Sequence, residues 1–393
     1  MTNFRTLDSL DLAGQKVLLR VDMNVPFRHG EITDTTRIEK VVPTIREIIG
    51  QGATVILASH LGRPKGQAAS EMSLSPLASA LTEFLEGVPV RFYDQFKDGW
   101  DVTAATGEVL LLENLRFDPG EEANDPEFAR KLAALGDVYV DDAFSCAHRA
   151  HSSIDGVAHL LPAAAGRLMQ RELEALTNAL ETPARPVAAI IGGNKVSTKL
   201  GVLENLLTKV DYLVIGGAMA NTFLFASGIE IGTSLCETDM ADTARDVLAK
   251  AKENDCRVVL PTDAAVAGEL KDGAVTSIFA ADALPGNQMI LDIGPESVTH
   301  LFKILGRCKT VVWNGPLGAF EFKPFDNGTN AVAGEVARLT GEGNLLSVAG
   351  GGDTMAALAN AGAADGFDYI STAGGAFLEW LEGKTLPGIA VLM

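Results

Sequence analysis

The chain is poor in cysteine, aromatic residues and positive charge, and each shortage excludes something. Four cysteines occur in 393 residues, Cys146, Cys236, Cys256 and Cys308, and no two share CxxC spacing. They read as reduced, mostly buried thiols of a cytoplasmic protein rather than a disulfide framework. Lysine and arginine number 32 against 51 aspartates and glutamates, a formal net charge of −19. Nucleic acids and acidic membranes attract a basic footprint, so neither is an expected partner. No run reaches the ~18 apolar residues of a membrane span, and the polar stretch 1–11 has no signal-like apolar core. Low-complexity tracts and internal repeats are missing too. So are two phosphate fingerprints. Gly383-Lys384-Thr385 has Leu378 where a P-loop requires glycine, and no GxGxxG follows a strand.

What is present suits an α/β protein. Glycine is abundant at 40 residues while aromatics make up 6%, as expected where many strand-to-helix turns need backbone freedom. A single core stops growing at roughly 250–300 residues, so two domains are expected. Apolar runs at 16–22, 54–59, 109–112 and 138–141 read as strands covered on both faces. Helical patterns lie between them, at 37–49 and at 76–85, the latter with Ser75 as N-cap and Pro76 at its first position. The second half repeats the scheme, with strands at 187–191, 212–215, 257–260, 310–313, 345–348 and 368–370. Its helices are expected at 199–209, 243–254 and 298–305. Strand–helix alternation implies βαβ units and mainly parallel sheets. The fold expected is two Rossmann-like lobes, each a mainly parallel sheet flanked by helices, joined by a hinge helix at 167–180.

Right-handed crossovers put all strand C-termini on one sheet edge, where ligands bind. In the first half those ends carry Asp22 and Asn24, then His60 and Arg63, then Arg116, then Arg149, with Arg37 opening the next helix. Arginine forks suit phosphate and carboxylate, and in so acidic a chain this convergence reads as an anion basin. In the second half the ends are glycine-rich: Gly192-Gly193-Asn194-Lys195, Gly216-Gly217, Asn314-Gly315, Gly350-Gly351-Gly352-Asp353-Thr354 and Gly374-Gly375. Five such turns on one edge read as a nucleotide site built on helix N-termini. Asp353 is a candidate Mg²⁺ ligand, although alone it reads equally as a helix N-cap. Glu121-Glu122 reads as a solvated turn. Cys146 beside His148 is weak as a nucleophile pair, and His148 with His151 is weak as a metal site.

These segments together resemble phosphoglycerate kinase along essentially the whole chain. The resemblance is carried by RVDMNVP (20–26), SHLGRP (59–64), LLENLRF (111–117), DDAFSCAHRAHSS (141–153), GGNKVSTK (192–199), WNGPLGAFE (313–321) and GGGDT (350–354). It implies reversible phosphoryl transfer between ATP and the carboxylate of 3-phosphoglycerate, giving ADP and 1,3-bisphosphoglycerate, in a hinged cytoplasmic monomer. By motif, Asp22, Asn24, Arg37, His60, Arg63, Arg116 and Arg149 would hold 3-phosphoglycerate in an N-terminal domain, 1–168. Lys195, Lys199, Glu321, Gly351, Gly352, Asp353 and Thr354 would hold the nucleotide in a C-terminal domain, 169–380, with Asp353 on Mg²⁺. Gly216, Gly217, Leu291 and Asn314 would line the nucleoside side, and the tail 381–393 would return to the first domain. Arg37 and Lys199 are the expected catalytic pair, and closure of the lobes would bring the two substrates together. Ala218 and Ala373 stand where the family often has glycine, Asn194 where a smaller residue is usual, and Cys146 in a variable position. Two rivals are a catalytically silent nucleotide binder of the same fold and a dinucleotide-dependent dehydrogenase, the latter without its fingerprint.

Overall fold

The computed structural model describes residues 4–28, 30–105 and 107–393. The chain forms two compact units, Met1–Glu174 with Thr385–Met393, and Ala175–Lys384.

The first unit contains strands β1 (Lys16–Val21), β2 (Phe27–Arg28), β3 (Glu31–Ile32), β4 (Thr54–Ala58), β5 (Val90–Tyr93), β6 (Val109–Leu112), β7 (Val138–Asp142) and β8 (Ala163–Ala165). Its helices are α1 (Thr36–Gly50), α2 (Leu77–Phe84), α3 (Gln95–Asp98), α4 (Pro119–Glu122), α5 (Pro126–Ala133) and the start of α6 (Arg167–Leu176). Six strands pair in the order β5-β6-β4-β1-β7-β8, all parallel. β4, β6 and β7 are buried at every position, which is why they read as continuous apolar runs. From β1 the chain builds one side of the sheet, with β4 beside β1, β5 at the edge and β6 inserted between them, then returns to place β7 on the other. That reversal opens a crevice beyond the C-terminal ends of β1 and β7, the usual ligand position in such sheets.

In β1 the side chains alternate. Val17, Leu19 and Val21 enter a core with Ile38, Val41, Ile45 and Ile48 of α1, while Leu18 and Arg20 face the other way. The tail closes this unit from below. Leu386, Ile389 and Leu392 are buried, the Gly388 N–H donates to the Ala147 carbonyl at 2.9 Å, and the Arg5 N–H donates to the Leu392 carbonyl at 2.9 Å.

The second unit contains β9 (Val187–Ile191), β10 (Tyr212–Ile215), β11 (Arg257–Val259), β12 (Asp263–Ala267), β13 (Ser277–Ala280), β14 (Met289–Ile293), β15 (Thr310–Asn314), β16 (Leu346–Gly350) and β17 (Tyr369–Ser371). Its helices are α7 (Leu200–Leu206), α8 (Gly217–Ala226), α9 (Ala241–Glu253), α10 (Pro295–Leu305), α11 (Asn327–Gly341), α12 (Gly352–Asn360) and α13 (Gly374–Leu381). A second six-stranded parallel sheet runs β11-β10-β9-β15-β16-β17, with its reversal between β9 and β15.

Three local expectations change. Helix α2 starts at Leu77 with Pro76 as its cap residue, and Ser75 makes no capping bond; the Ser75 N–H is instead engaged by the Ser73 hydroxyl at 3.2 Å. The helix expected through residue 180 ends as α-helix at Leu176 and finishes in a wider turn, Thr177–Glu181. The antiparallel sheet β13-β12-β14 was not read from the sequence. β12 is Asp-Ala-Ala-Val-Ala with a register shift at Ala265/Val266, so neither composition nor alternation marks it.

Burial of three tail side chains, at ~1.5–3 kcal/mol each as an upper bound, gives the tail a measurable role. Deleting residues 385–393 is expected to destabilise the first unit by a few kcal/mol, at most roughly 9. Amide hydrogen exchange resolved along the chain will show faster exchange confined to residues 4–174 if this holds.

Candidate functional site

The anion basin of the first unit is assembled at the β1, β4, β6 and β7 strand ends. Asp22 follows β1 and forms an ion pair with Arg37 from the first turn of α1; the Ser145 hydroxyl also donates to the same carboxylate oxygen. Its other oxygen accepts the Asn24 N–H at 3.0 Å. Burial alone would push the Asp22 carboxyl up, yet neighbouring positive charge, that of Arg37 included, and the bonds from Ser145 and Asn24 bring it down to about 2. The Asn24 side-chain oxygen accepts the Gly62 N–H at 2.9 Å, fixing the loop after β4 to the loop after β1. Arg116 donates to the Gly62 carbonyl at 2.8 Å from the loop after β6. Asn114 ties the same loops together, donating to the Leu61 and Met72 carbonyls at 2.8 and 2.9 Å. Arg149 is partly buried and its Nε lies 3.1 Å from His148 Nε2. Arg63 is exposed beside Gly62 and has no hydrogen bond or ion pair to a described residue.

Beneath the basin lies a layer that the sequence reading missed. Arg20 is fully buried. Its Nε donates to Ser153 Oγ at 2.8 Å, Nη1 to the Val21 carbonyl, and Nη2 faces His60 Nδ1 at 3.2 Å and Cys146 Sγ at 3.7 Å. Ser153 in turn donates Oγ–H to Glu121 at 2.6 Å and N–H to the other carboxylate oxygen at 3.0 Å. The expectation of a solvated Glu121-Glu122 turn is therefore half wrong. Glu122 is exposed, but Glu121 is 0% exposed, turned inward by the short helix α4 that Asp118 caps. The available signal was Arg20 itself, a lone arginine in Val-Leu-Leu-Arg-Val, since a buried guanidinium needs a buried acid. His151 Nδ1 lies 3.7 Å from Glu121, but burial and three nearby arginines hold the imidazole at about 3, so the contact is not an ion pair near neutral pH. Burial also pushes the Cys146 thiol up, which removes thiolate character.

In the second unit, Gly192, Gly193, Lys195, Lys199, Asn314, Gly351, Gly352, Asp353 and Thr354 line one cleft of about 460 Å³, joined by Gly374. The Lys199 ammonium donates to Asn314 Oδ1, and Asn314 is held by donating to the Gly350 carbonyl at 2.7 Å. Burial lowers the Lys199 pKa while the Asp353 charge opposes that shift. Thr354 is buried and accepts the Gly315 N–H at 2.7 Å while donating to Gly350, so it braces the loop rather than facing outward. Asp353 is exposed in the first turn of α12, whose cap residue is Gly351 at φ +101°, so Asp353 is not the N-cap. The glycines divide by role. A Cβ at Gly192 would lie 1.8 Å from the Pro316 carbonyl, so that glycine serves loop-to-loop packing, whereas a Cβ at Gly352 would meet nothing within 4 Å and leaves the cleft open. The N-terminal ends of α12 and α13 meet this cleft, which favours anions. Gly216, Gly217, Leu291 and Glu321 do not line it. Gly217 abuts Gly193, Leu291 packs against the buried cluster of Ala267, Ala274 and Phe325, and Glu321 is exposed.

A family model described as phosphoglycerate kinase matches residues 7–384. The chain is 58% identical over 393 residues to a phosphoglycerate kinase of Cereibacter sphaeroides, covering 99% of both chains. It is 57% identical over 397 residues to one of Methylorubrum extorquens, covering 100% of this chain and 99% of that one. The solved phosphoglycerate kinase of Coxiella burnetii superposes with a TM-score of 0.94 at 45% identity, covering 99% of this chain and 98% of its own. That of Pyrococcus horikoshii gives 0.79 at 30%. The chain belongs to the phosphoglycerate kinase family.

Within that family frame, Ala373 is buried as the cap residue of α13 and Ala218 is half-buried in the first turn of α8. Both therefore adjoin the glycine loops without replacing a charged group. The buried Asp141, at the end of β7, carries a testable charge. Its Oδ1 accepts the Ala143 N–H at 2.9 Å and its Oδ2 has no hydrogen-bond partner. Burial raises it to about 7. The folded carboxyl thus keeps its proton to about pH 7 while the unfolded one loses it near 4. Stability must fall as pH rises between those values. Asp141→Asn is expected to be near neutral at pH 4.5 and stabilising by roughly 2–4 kcal/mol at pH 8, read from urea unfolding at both pH values.

Proposed function

We propose that the chain catalyses reversible phosphoryl transfer between ATP and the carboxylate of 3-phosphoglycerate, giving ADP and 1,3-bisphosphoglycerate. Family membership supports this, and the carrying observation is a pair of anion sites of different make, each at the reversal point of its own parallel sheet. The first is an arginine–histidine basin suited to a small phosphorylated acid. The second is a lysine–glycine cleft suited to a polyphosphate.

Asp22, Asn24, Arg37, His60, Arg63, Arg116 and Arg149 hold the three-carbon acid in this reading. Lys195, Lys199 and the Gly351–Thr354 turn hold the nucleotide phosphates, with Glu321, Gly216, Gly217, Leu291 and Asn314 towards the nucleoside. The enzyme acts as a cytoplasmic monomer. Mg²⁺ comes with the nucleotide, and Asp353 fits it: an exposed carboxylate on the cleft with no hydrogen-bond partner among the described residues. The described residues offer no group of three or more His, Cys, Asp or Glu for a protein-only cage, which suits an ion that keeps water and phosphate oxygens as ligands. When bound it supplies positive charge to those oxygens.

The nucleophile is a carboxylate, already ionised, so no general base is required. A carboxylate oxygen attacks the γ-phosphorus, the bond to the β–γ bridging oxygen breaks, and ADP leaves with that electron pair. Positioning and charge stabilisation do the rest. Arg37 is held in reserve by Asp22, and an anion entering the basin competes for it. Lys199, oriented by Asn314, places its ammonium towards the transferring group. Both charges are only partly exposed, which strengthens them where charge develops.

Turnover of 3-phosphoglycerate with Mg²⁺ and ATP, coupled to reduction of the acyl phosphate, tests this reading. Arg37→Ala is expected to lower kcat by about 10²-fold or more, since one lost donor costs ~3–4 kcal/mol of barrier. Asp353→Asn is expected to raise KM for Mg-ATP while leaving KM for 3-phosphoglycerate near its parent value. A folded parent that binds ATP and turns nothing over would leave the silent nucleotide-binding protein instead.

A further inference from the structure

The layer of charge beneath the basin sets the state of His60, a residue that the proposed function assigns to the substrate. A guanidinium carries only donors. Arg20 Nη2 lies 3.2 Å from His60 Nδ1, so that nitrogen must present its lone pair, and the imidazole proton belongs on Nε2. His60 Nε2 has no hydrogen-bond partner among the described residues. Arg20, Arg37 and Arg116 face this ring against the single carboxylate of Asp22, and the ring itself is 4% exposed, so burial and three positive charges keep it neutral.

Arg20 is itself fixed in direction. Its Nε reaches Ser153 Oγ, and Ser153 is clamped by Glu121 at both Oγ and N while its carbonyl accepts the Tyr139 hydroxyl at 2.7 Å. The carboxylate of Glu121 thus sets the Ser153 hydroxyl as a donor towards itself, which turns the oxygen lone pair to Arg20. The order is directional at every step: acid, hydroxyl, guanidinium, imidazole.

We propose that Glu121, Ser153 and Arg20 form a positioning relay that locks His60 as the neutral Nε2–H tautomer, presenting one uncharged N–H donor to the anion basin. The identity of the anion rests on the function proposed above; the tautomer does not. A neutral donor among arginines has a distinct use. It orients one oxygen of a carboxylate without adding a further charge that would neutralise the nucleophile.

The decisive measurement is the nitrogen-15 signature of His60 in the uniformly labelled, full-length parent, by long-range proton–nitrogen correlation between pH 5.5 and 8.5. The expected result is a neutral ring protonated at Nε2 throughout. A ring protonated at Nδ1, or a cationic ring at pH 7, would overturn the relay, whatever the enzyme turns over. Ser153→Ala and Glu121→Gln then test the chain of command. Each is expected to populate both tautomers and to raise KM for 3-phosphoglycerate about 10-fold, leaving KM for ATP unchanged. In a His60→Gln background, which has no tautomer to lose, Ser153→Ala is expected to add nothing further to KM. A merely structural role would lower the unfolding midpoint, leave the tautomer intact and cost the same in both backgrounds, and that pattern also overturns the proposal. Should Glu121→Gln fail to fold, the parent spectrum and Ser153→Ala still decide. Absent turnover with an intact Nε2–H signature would count against the function and for the relay.

Discussion

The buried guanidinium of Arg20 is the constraint on which the first unit's site depends. A charge at 0% exposure is tolerated only when its donors are met and its charge is balanced. Meeting that demand recruits groups from three parts of the chain: Glu121 from α4, Ser153 from the turn after β7, and His60 from the end of β4. The loops that carry the outer anion ligands are therefore anchored to the same point. Asn24, Asn114 and Arg116 continue the anchoring outward by gripping the Gly62 loop. A basin rich in like charge is held open by side-chain hydrogen bonds to the backbone of neighbouring loops, together with the Asp22–Arg37 ion pair.

The second unit solves a different problem with different means. Its cleft needs close backbone approach and few side chains, so glycine does most of the shaping. Only part of that glycine content faces the cleft. Gly192, Gly216 and Gly315 are packed against neighbouring loops where a Cβ would strike backbone or a leucine, while Gly352 borders open space. Asn314 and Thr354, both buried, brace these loops through Gly350 and Gly315. Lys199 then stands on a rigid floor, which is what a group acting by position requires.

Much was legible in the sequence, because the information was local. Continuous apolar runs identified the parallel strands, and polar motifs immediately after them gave Asp22, His60, Arg116, Lys199 and Asp353. The misreadings share a cause. Glu121 was assigned to solvent because two adjacent acids look like a surface turn, yet helix geometry turns one of them inward. Thr354 lines the cleft as its place after the triple glycine suggests, but that its hydroxyl also braces Gly350 and Gly315 was not legible. The sheet β13-β12-β14 escaped because an alanine-rich strand with a register shift has no period to read.

The amino-acid order by itself determined the α/β class, the presence of two parallel sheets, and the residue types available at each strand end, since all three follow from short-range pattern and the handedness of crossovers. Tertiary structure alone decided which carboxylate reaches Arg20 through Ser153, which imidazole nitrogen is free, and which glycines border space. Those depend on contacts between segments 32 to 133 positions apart, where a hydrogen bond of about 3 Å selects one partner among many that the sequence permits equally.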